Sequence, residues 1–143
     1  MDLHPENGRQ HDLDPGDCLL LLAGQEVGRI VTSGTPPKVR PVNFVLVEGR
    51  IYLRTDAPFT DGDEVTFEVD QIDSSEHQGW SVIARGRVRS LAAGEVPRDA
   101  HERLVTWAAG DKPVWSMIEI GRITGRFVRA GRSRRGADDR GYL

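Results

Sequence analysis

The chain has 143 residues, of which 38% are hydrophobic and 29% are charged, proportions that are ordinary for a soluble globular protein. This length favours one domain with a sizeable core. The 19 Lys and Arg residues against 22 Asp and Glu residues leave a formal net charge of -3, which indicates neither nucleic acid nor an anionic membrane as a partner. The single cysteine, Cys18, excludes an internal disulfide, and its apolar surroundings favour a buried, structural role.

Both ends of the chain are predicted to be tails. Residues 1–12 are polar and lack the basic start and apolar stretch of a secretory signal. No apolar run approaches the roughly 20 residues that a membrane helix needs, so we expect a cytoplasmic protein. Residues 131–143 are rich in Gly, Ser and Arg and are predicted to be disordered. The folded domain is therefore expected over residues 13–130.

The first predicted element is a short helix over residues 18–23. Asp14 is a suitable N-cap, Pro15 fits the first helical position, and Gly24 can end the helix. Three β-like segments follow, over residues 28–32, 38–47 and 50–55. The dipeptide Glu48-Gly49 between the last two is typical of a hairpin turn.

Strands also predominate in the second half. Residues 64–71 alternate between apolar and polar side chains, as in a half-buried strand. Further strands are predicted over residues 80–91, 114–120 and 121–128, and a second helix over residues 97–109. Strands without a βαβ rhythm favour an antiparallel barrel. The sequence therefore predicts a mainly β fold, a barrel of about six antiparallel strands with two short helices.

No conventional catalytic signature occurs in the sequence. The patterns GxSxG, HExxH, CxxC and GxxxxGK[ST] are all missing. The four histidines, His4, His11, His77 and His101, show no metal-ligand spacing. The sequence thus predicts no metal site and leaves the catalytic residues unknown.

A set of basic residues lies on predicted strands. Arg85 and Arg87 share one strand face, since side chains two residues apart point the same way. With Lys38, Arg40 and Arg54 they have the chemistry to bind an anion such as a flavin phosphate. The alternative is a solvated strip on the outside of the barrel.

Two other features of the predicted strands are consistent with ligand binding or with a purely structural role. Pro41-Val42-Asn43-Phe44 places proline inside a strand, which requires an edge or a bulge. Such a bulge presents backbone groups to a flat ligand, or it is only a barrel corner. Trp80 and Trp115 begin strands near a barrel rim, where a ligand site, a subunit interface and the core are all possible surroundings.

Several strand motifs follow one another between residues 14 and 129. They are Val27-Gly28-Arg29-Ile30, Arg40-Pro41-Val42-Asn43-Phe44, Ile51-Tyr52-Leu53-Arg54-Thr55, Val65-Thr66-Phe67-Glu68-Val69-Asp70, Gly79-Trp80-Ser81-Val82 and Arg85-Gly86. In this order and spacing the chain resembles the pyridoxamine 5'-phosphate oxidase-like family of FMN-binding split barrels.

The resemblance implies an oxidoreductase of unknown substrate that depends on FMN or on the deazaflavin F420. It implies a homodimer of six-stranded split barrels, with two FMN sites at the dimer interface and neither nucleic acid nor membrane as a partner. The cofactor-binding residues that it implies are Arg40, Pro41, Val42, Asn43, Phe44, Arg54, Thr55, Trp80, Ser81 and Arg85. Oxidation of pyridoxamine 5'-phosphate itself is not expected, because the tail from Gly131 lacks the ordered C-terminal segment which that activity uses.

The connection over residues 56–64 departs from the family pattern. Family members usually carry a short helix here with a lysine that meets the phosphate, whereas this segment has no Lys or Arg and holds four carboxylates. Losing a charge-assisted hydrogen bond of roughly 1.5–3 kcal/mol would lower FMN affinity by about tenfold or more. Two alternatives therefore stand beside the FMN enzyme: a non-catalytic dimer that carries the deazaflavin F420 or haem, and a barrel that has lost its cofactor.

Overall fold

The computed structural model describes residues 9–56, 58–108 and 110–131. They form nine main elements: β1 (Arg9–Leu13), α1 (Pro15–Ala23), β2 (Val27–Thr32), β3 (Val39–Val47), β4 (Arg50–Thr55), β5 (Glu64–Asp73), β6 (Gln78–Leu91), α2 (Arg98–Arg103) and β7 (Val114–Arg129). A single 3-10 turn, Ala93–Glu95, precedes α2.

The strands form one antiparallel sheet that closes on itself. Their order is β1-β7-β4-β3-β2-β5-β6, and β6 also pairs with β7, so β2 to β7 make a six-stranded barrel. The β3–β4 hairpin turns through Glu48 and Gly49, which both have positive φ (50° and 75°), as a tight two-residue hairpin loop requires. The predicted mainly β barrel with two short helices is confirmed.

Two apolar clusters lie on either side of the barrel wall. The barrel interior is filled by side chains such as Phe44, Leu53 and Phe67, with Cys18 and Leu22 of α1 packed against them. A second cluster lies on the outside of the wall, where Ala100 of α2 packs with residues of β3, β4 and β7. The outer surface of β3 and β4 is therefore partly covered by chain that follows β6.

The first helix follows the prediction closely. The Asp14 side chain accepts a hydrogen bond from the Asp17 amide at 2.8 Å, and Gly24 is the C-cap. Cys18 is buried, and burial, followed by the Asp14 and Asp17 carboxylates, raises the pKa of its thiol. This setting is that of a structural cysteine rather than a nucleophile.

The second helix is shorter than predicted. It was expected over residues 97–109, but it ends at Arg103 because Leu104 takes an extended conformation (φ -74°, ψ 120°). Leu104 then packs against the outer cluster, a tertiary contact that overrides local helix propensity. Among the described residues, no helix is long and apolar enough to cross a membrane.

The ends of the domain also differ from expectation. Residues 9–12 were predicted to be flexible tail, yet they belong to β1, which pairs with Gly125–Arg129 of β7. Residues 114–120 and 121–128 were predicted as two strands and form the single strand β7. The rest of the predicted tails, residues 1–8 and 132–143, lies outside the described residues. The expectation that this chain does not oxidise pyridoxamine 5'-phosphate rests on that C-terminal tail and stays a prediction.

Candidate functional site

Strand β3 carries five of the residues that the resemblance implies for cofactor binding. Val42 and Phe44 point into the barrel and are buried, and the Phe44 ring meets the Phe67 ring edge-on at 4.9 Å between centroids. Since successive strand residues face opposite sides, Pro41 and Asn43 point outward. Only the backbone of Val42 and Phe44, and the outward residues, are therefore available to a ligand outside the barrel.

Pro41 fits into strand β3 because this part of the strand has only one neighbouring strand. The β3–β4 ladder runs from Phe44 to Val47, whereas Pro41 pairs with Arg29 of β2 on the other side. The unpaired side is the local edge that proline in a strand requires.

Asn43 uses its side chain to hold other parts of the chain. Its Oδ1 accepts a hydrogen bond from the Trp107 amide at 2.8 Å, and its Nδ2 donates to the Glu26 carbonyl at 3.3 Å. The same Glu26 carbonyl accepts from the Phe44 amide at 3.0 Å. Asn43 thus joins the start of β2 to the segment that follows α2.

Arg54 and Thr55 end strand β4 on opposite faces. The Arg54 guanidinium lies 5.3 Å from the centre of the Trp115 ring, and its Nε donates to the Lys112 carbonyl at 2.9 Å. Thr55 is only 3% exposed. A ligand phosphate near this strand end would meet Arg54 on the outer face rather than Thr55.

The three predicted residues of β6 have different surroundings. Trp80 faces inward at one end of the barrel and packs against the core. Ser81 faces outward opposite Asp70 and Arg126. Arg85 also faces outward, four residues further along, and pairs with Arg122. Of the three, Ser81 alone shares a cross-strand row with Asn43.

That row crosses the outer faces of five strands, in the order β3, β2, β5, β6 and β7. Asn43 pairs with Val27, Asp70 pairs with Ser81, and Ser81 pairs with Arg126. Arg29 pairs with Glu68 in the β2–β5 ladder, and these two residues lie two positions from Val27 and Asp70 on the same strand faces. Adjacent strands are about 4.8 Å apart, so Asn43 and Ser81 are separated by roughly 14 Å.

Two adjoining depressions follow this row and share Asp70. One, about 270 Å³, is lined by residues 24–27, Arg29, Asp70 and Trp107. The other, about 250 Å³, is lined by Glu68, Asp70, Ile72, Ser81 and Arg126. We call the two together the outer-face groove, and it is the candidate functional site.

The middle of the outer-face groove holds a carboxylate pair clamped by one guanidinium. Arg29 Nη1 lies 3.0 Å from Glu68 Oε1 and 3.2 Å from Asp70 Oδ2. Burial and the hydrogen bond and negative charge of Asp70 raise the pKa of Glu68 to about 7, although Arg29 opposes the shift. Glu68 therefore keeps its proton to a much higher pH than an exposed carboxyl does.

Arg40 lies elsewhere, at the mouth of the barrel beside the acidic connection. Its Nη2 is 3.4 Å from Asp56 Oδ1, and its guanidinium lies 5.6 Å from the centre of the Phe59 ring. In the same connection Asp61 accepts a hydrogen bond from the Ser90 amide at 2.8 Å. Two of the four carboxylates thus have a partner within the chain, and one of them neutralises Arg40, one of the five cations considered for an anion site.

The five cations considered from the sequence do not converge within one chain. Arg85 and Arg87 lie on β6, while Arg40 and Arg54 lie on β3 and β4, with β2 and β5 between them on one side and β7 on the other. Lys38 lies in the turn before β3. The outer-face groove instead contains Arg29 and Arg126, which the sequence did not single out.

Trp107 is the other residue of the groove that sequence reasoning missed. It lies within the range predicted as the second helix, residues 97–109, yet it follows the end of α2 at Arg103 and has 65% of its surface exposed. Neither its spacing nor its neighbours signalled this position, because it depends on the long-range hydrogen bond to Asn43. Among the described residues there is no cluster of three or more His, Cys, Asp or Glu suited to a metal ion.

Comparison with known proteins identifies the family. The model of the pyridoxamine 5'-phosphate oxidase family matches residues 14–127, from the N-cap of α1 almost to the end of β7. The chain belongs to this family. The family resemblance stated from the strand motifs is therefore confirmed.

Proteins similar to this chain include one that is described as binding FAD. An uncharacterized protein of Mycobacterium tuberculosis, Rv0080, is 33% identical over 142 residues, covering 90% of this chain and 93% of that protein. A solved candidate pyridoxamine 5'-phosphate oxidase of Corynebacterium glutamicum has a TM-score of 0.71 and 27% identity, covering 92% of this chain and 99% of the other. The solved FAD binding protein of Mycobacterium smegmatis has a TM-score of 0.64 and 28% identity, covering 85% and 100%.

Proposed function

We propose that this protein binds a flavin nucleotide in the outer-face groove and uses it for an oxidoreductase reaction. The observation that carries the proposal is the family match over residues 14–127, which spans all six barrel strands. The similar FAD binding protein of M. smegmatis matches over its whole length. A flavin performs the electron transfer itself, which fits a chain whose sequence shows no conventional catalytic signature.

The groove has the chemistry of a flavin ring site. An isoalloxazine ring has a polar edge that alternates hydrogen-bond acceptors and a donor. Arg29 and Ser81 supply donors along the groove, and Asp70 supplies an acceptor. Arg126 adds a positive charge at the β7 end, suited to a phosphate. These residues bind and orient the ring, and Glu68, whose pKa is raised to about 7, lies beside it as a titrating carboxyl.

The surroundings of Arg40 favour FAD over the FMN expected from the resemblance. A terminal phosphate that approaches Arg40 has to displace Asp56 from its 3.4 Å contact and is repelled by the freed carboxylate. The diphosphate of FAD bears no terminal phosphate dianion, and its adenosine adds contacts elsewhere. FAD therefore depends less on this one cation.

The exposed side of the groove supports a homodimer as part of the same proposal. Ile72 and Trp107, at its two ends, are 50% and 65% exposed, and large exposed apolar residues around a groove are typical of an interface. Arg40 lies on β3 and Ser81 on β6, with β2 and β5 between them, so they are separated by roughly 14 Å or more and do not meet the same ring edge on one chain. A second copy placed over the groove would bring its own β3–β4 end to the flavin.

Absorption spectroscopy and ligand titration test the proposal. The protein as purified should carry a flavin spectrum or bind added flavin, with FAD raising the melting temperature more than FMN or riboflavin at equal concentration. F420 and haem belong in the same panel. A larger shift with either of these favours the carrier alternative, and no shift with any ligand favours a barrel without a cofactor.

A further inference from the structure

The segment between α2 and β7 lies against the outer face of the barrel, where it contacts Asn43 of β3 and Arg54 of β4. We call residues 104–108 and 110–113 the α2–β7 connection. It is fixed at two points, because Asn43 Oδ1 accepts from the Trp107 amide at 2.8 Å and Arg54 Nε donates to the Lys112 carbonyl at 2.9 Å. Both anchoring side chains belong to the set that the resemblance implies for cofactor contact. In this chain they hold the connection in place.

Trp107 is the part of the connection that faces the groove. Its side chain is among the most exposed large apolar groups of the described residues, at 65%, while its backbone is fixed by Asn43. The depression beside it is lined on the opposite side by residues 24–27, Arg29 and Asp70. Trp107 thus places a large aromatic side chain at the edge of a polar depression, on a backbone that Asn43 fixes, and such a side chain is free to stack on a flat ring.

We propose that Trp107 is the aromatic wall of the flavin site, and that its indole stacks on the isoalloxazine ring bound in the outer-face groove. The inference rests on the proposed function and deepens it. The ring lies with its polar edge toward Arg29 and Asp70 and one face against the indole. Asn43 and Arg54 are then positioning residues, which act on the ligand through the α2–β7 connection.

Flavin binding by variants at position 107 tests the stacking. Trp107→Ala should raise the dissociation constant for the flavin about tenfold, the usual scale for losing one aromatic stacking partner. It should also restore much of the flavin fluorescence that a stacked indole quenches. Trp107→Phe keeps an aromatic face and should retain most of the affinity. Because Trp107 is largely exposed, neither variant should change the melting temperature without ligand.

The matched control is Val105→Ala. Val105 lies in the same connection and is 56% exposed, so its truncation should leave both affinity and quenching at the wild-type level. Equal losses of flavin affinity in Val105→Ala and Trp107→Ala would mean that the connection affects binding without a specific contact from the indole. This result would overturn the proposed stacking.

Variants at position 43 test the positioning role separately. Asn43→Asp keeps an oxygen for the Trp107 amide, whereas Asn43→Ala does not. Asn43→Ala should reproduce the loss seen in Trp107→Ala, and the double variant should lose little more, since both changes remove one interaction. Additive losses would instead assign Asn43 a direct ligand contact.

The outcomes distinguish this inference from the proposal on which it rests. If the wild-type protein binds flavin and Trp107→Ala binds it with unchanged affinity and quenching, only the role of Trp107 is overturned. If the wild-type protein binds no flavin at all, the proposed function fails and the inference fails with it.

Discussion

Glu68 is a partly buried carboxyl whose ionisation opposes folding. Its pKa rises from 4.5 to about 7 because of burial and the neighbouring Asp70. Between these values the unfolded chain loses the proton while the folded protein keeps it, so raising the pH favours the unfolded state. The stabilising contribution is complete below pH 4.5 and is lost as the pH rises through about 7.

Glu68→Gln should remove this pH dependence. From pH 5 to pH 8 the free energy of unfolding of the wild type should fall by about 1 kcal/mol relative to the variant, since partial exposure of the pair screens the shift. Urea denaturation at several pH values measures the difference. Thr66→Ala, on the same face of β5 but without a titrating group, should differ from the wild type by a constant amount. A constant difference for Glu68→Gln would contradict the prediction.

Asp56 competes with any phosphate for Arg40. Removing its charge in Asp56→Asn should free the guanidinium and raise flavin affinity several-fold, with a larger gain for FMN than for FAD, as one charge-assisted hydrogen bond is regained. Isothermal titration calorimetry measures both constants. Asp61→Asn is the control, because it removes the same charge from the same connection but leaves an oxygen for the Ser90 amide. Equal gains in both variants would indicate a general charge effect and exclude a specific role for Asp56.

At the scale of the strands, the β6–β7 ladder contains one irregularity. The register shifts between Arg85 and Gly86, so that Arg85 pairs with Arg122 and Gly86 with Ile120. Gly121 is therefore the extra residue of a β-bulge. At Gly86 the two backbones come so close that an added Cβ would overlap the Glu119 carbonyl oxygen.

Gly86→Ala should destabilise the protein by about 3 kcal/mol, because backbone atoms in a paired strand cannot move aside as a flexible side chain can. Thermal or urea unfolding gives the value. Gly121→Ala, across the same bulge, places its Cβ 3.6 Å from the Arg85 carbonyl oxygen, which is an ordinary contact. It should cost far less, and similar costs for the two variants would mean that the backbones separate easily.

The elements that sequence predicted well are those with local determinants. The first helix follows from Asp14, Pro15 and Gly24, and the hairpin follows from Glu48-Gly49 between apolar strands. The short α2 and the added strand β1 depend on contacts with β3, β4 and β7, which no local pattern encodes. The motif order was specific enough to predict the barrel even where element ends were missed.

At the scale of the whole molecule, the candidate site depends on strand order. Asn43 and Ser81 are 38 positions apart in the printed numbering, yet both face outward along one row because β2 and β5 lie between them in register. Arg29 and Arg126 enter the groove for the same reason. The sequence does not give the strand order. The anion site predicted from basic residues alone therefore combined cations that lie on separate strands within one chain.

The proposed dimer makes a prediction that no single-chain site shares. Arg40→Glu damages the barrel-mouth contribution and Ser81→Trp blocks the groove, so each variant alone should bind little flavin if both contributions reach the same ligand. In a symmetric dimer with two shared sites, a mixed dimer has one intact site and one site damaged twice. Random mixing of the two variants should then restore about a quarter of the wild-type flavin capacity. The mixture is unfolded and refolded together, its capacity is measured by flavin absorbance after gel filtration, and each variant treated alone is the control. No recovery in a mixture that forms dimers would place the whole site on one chain.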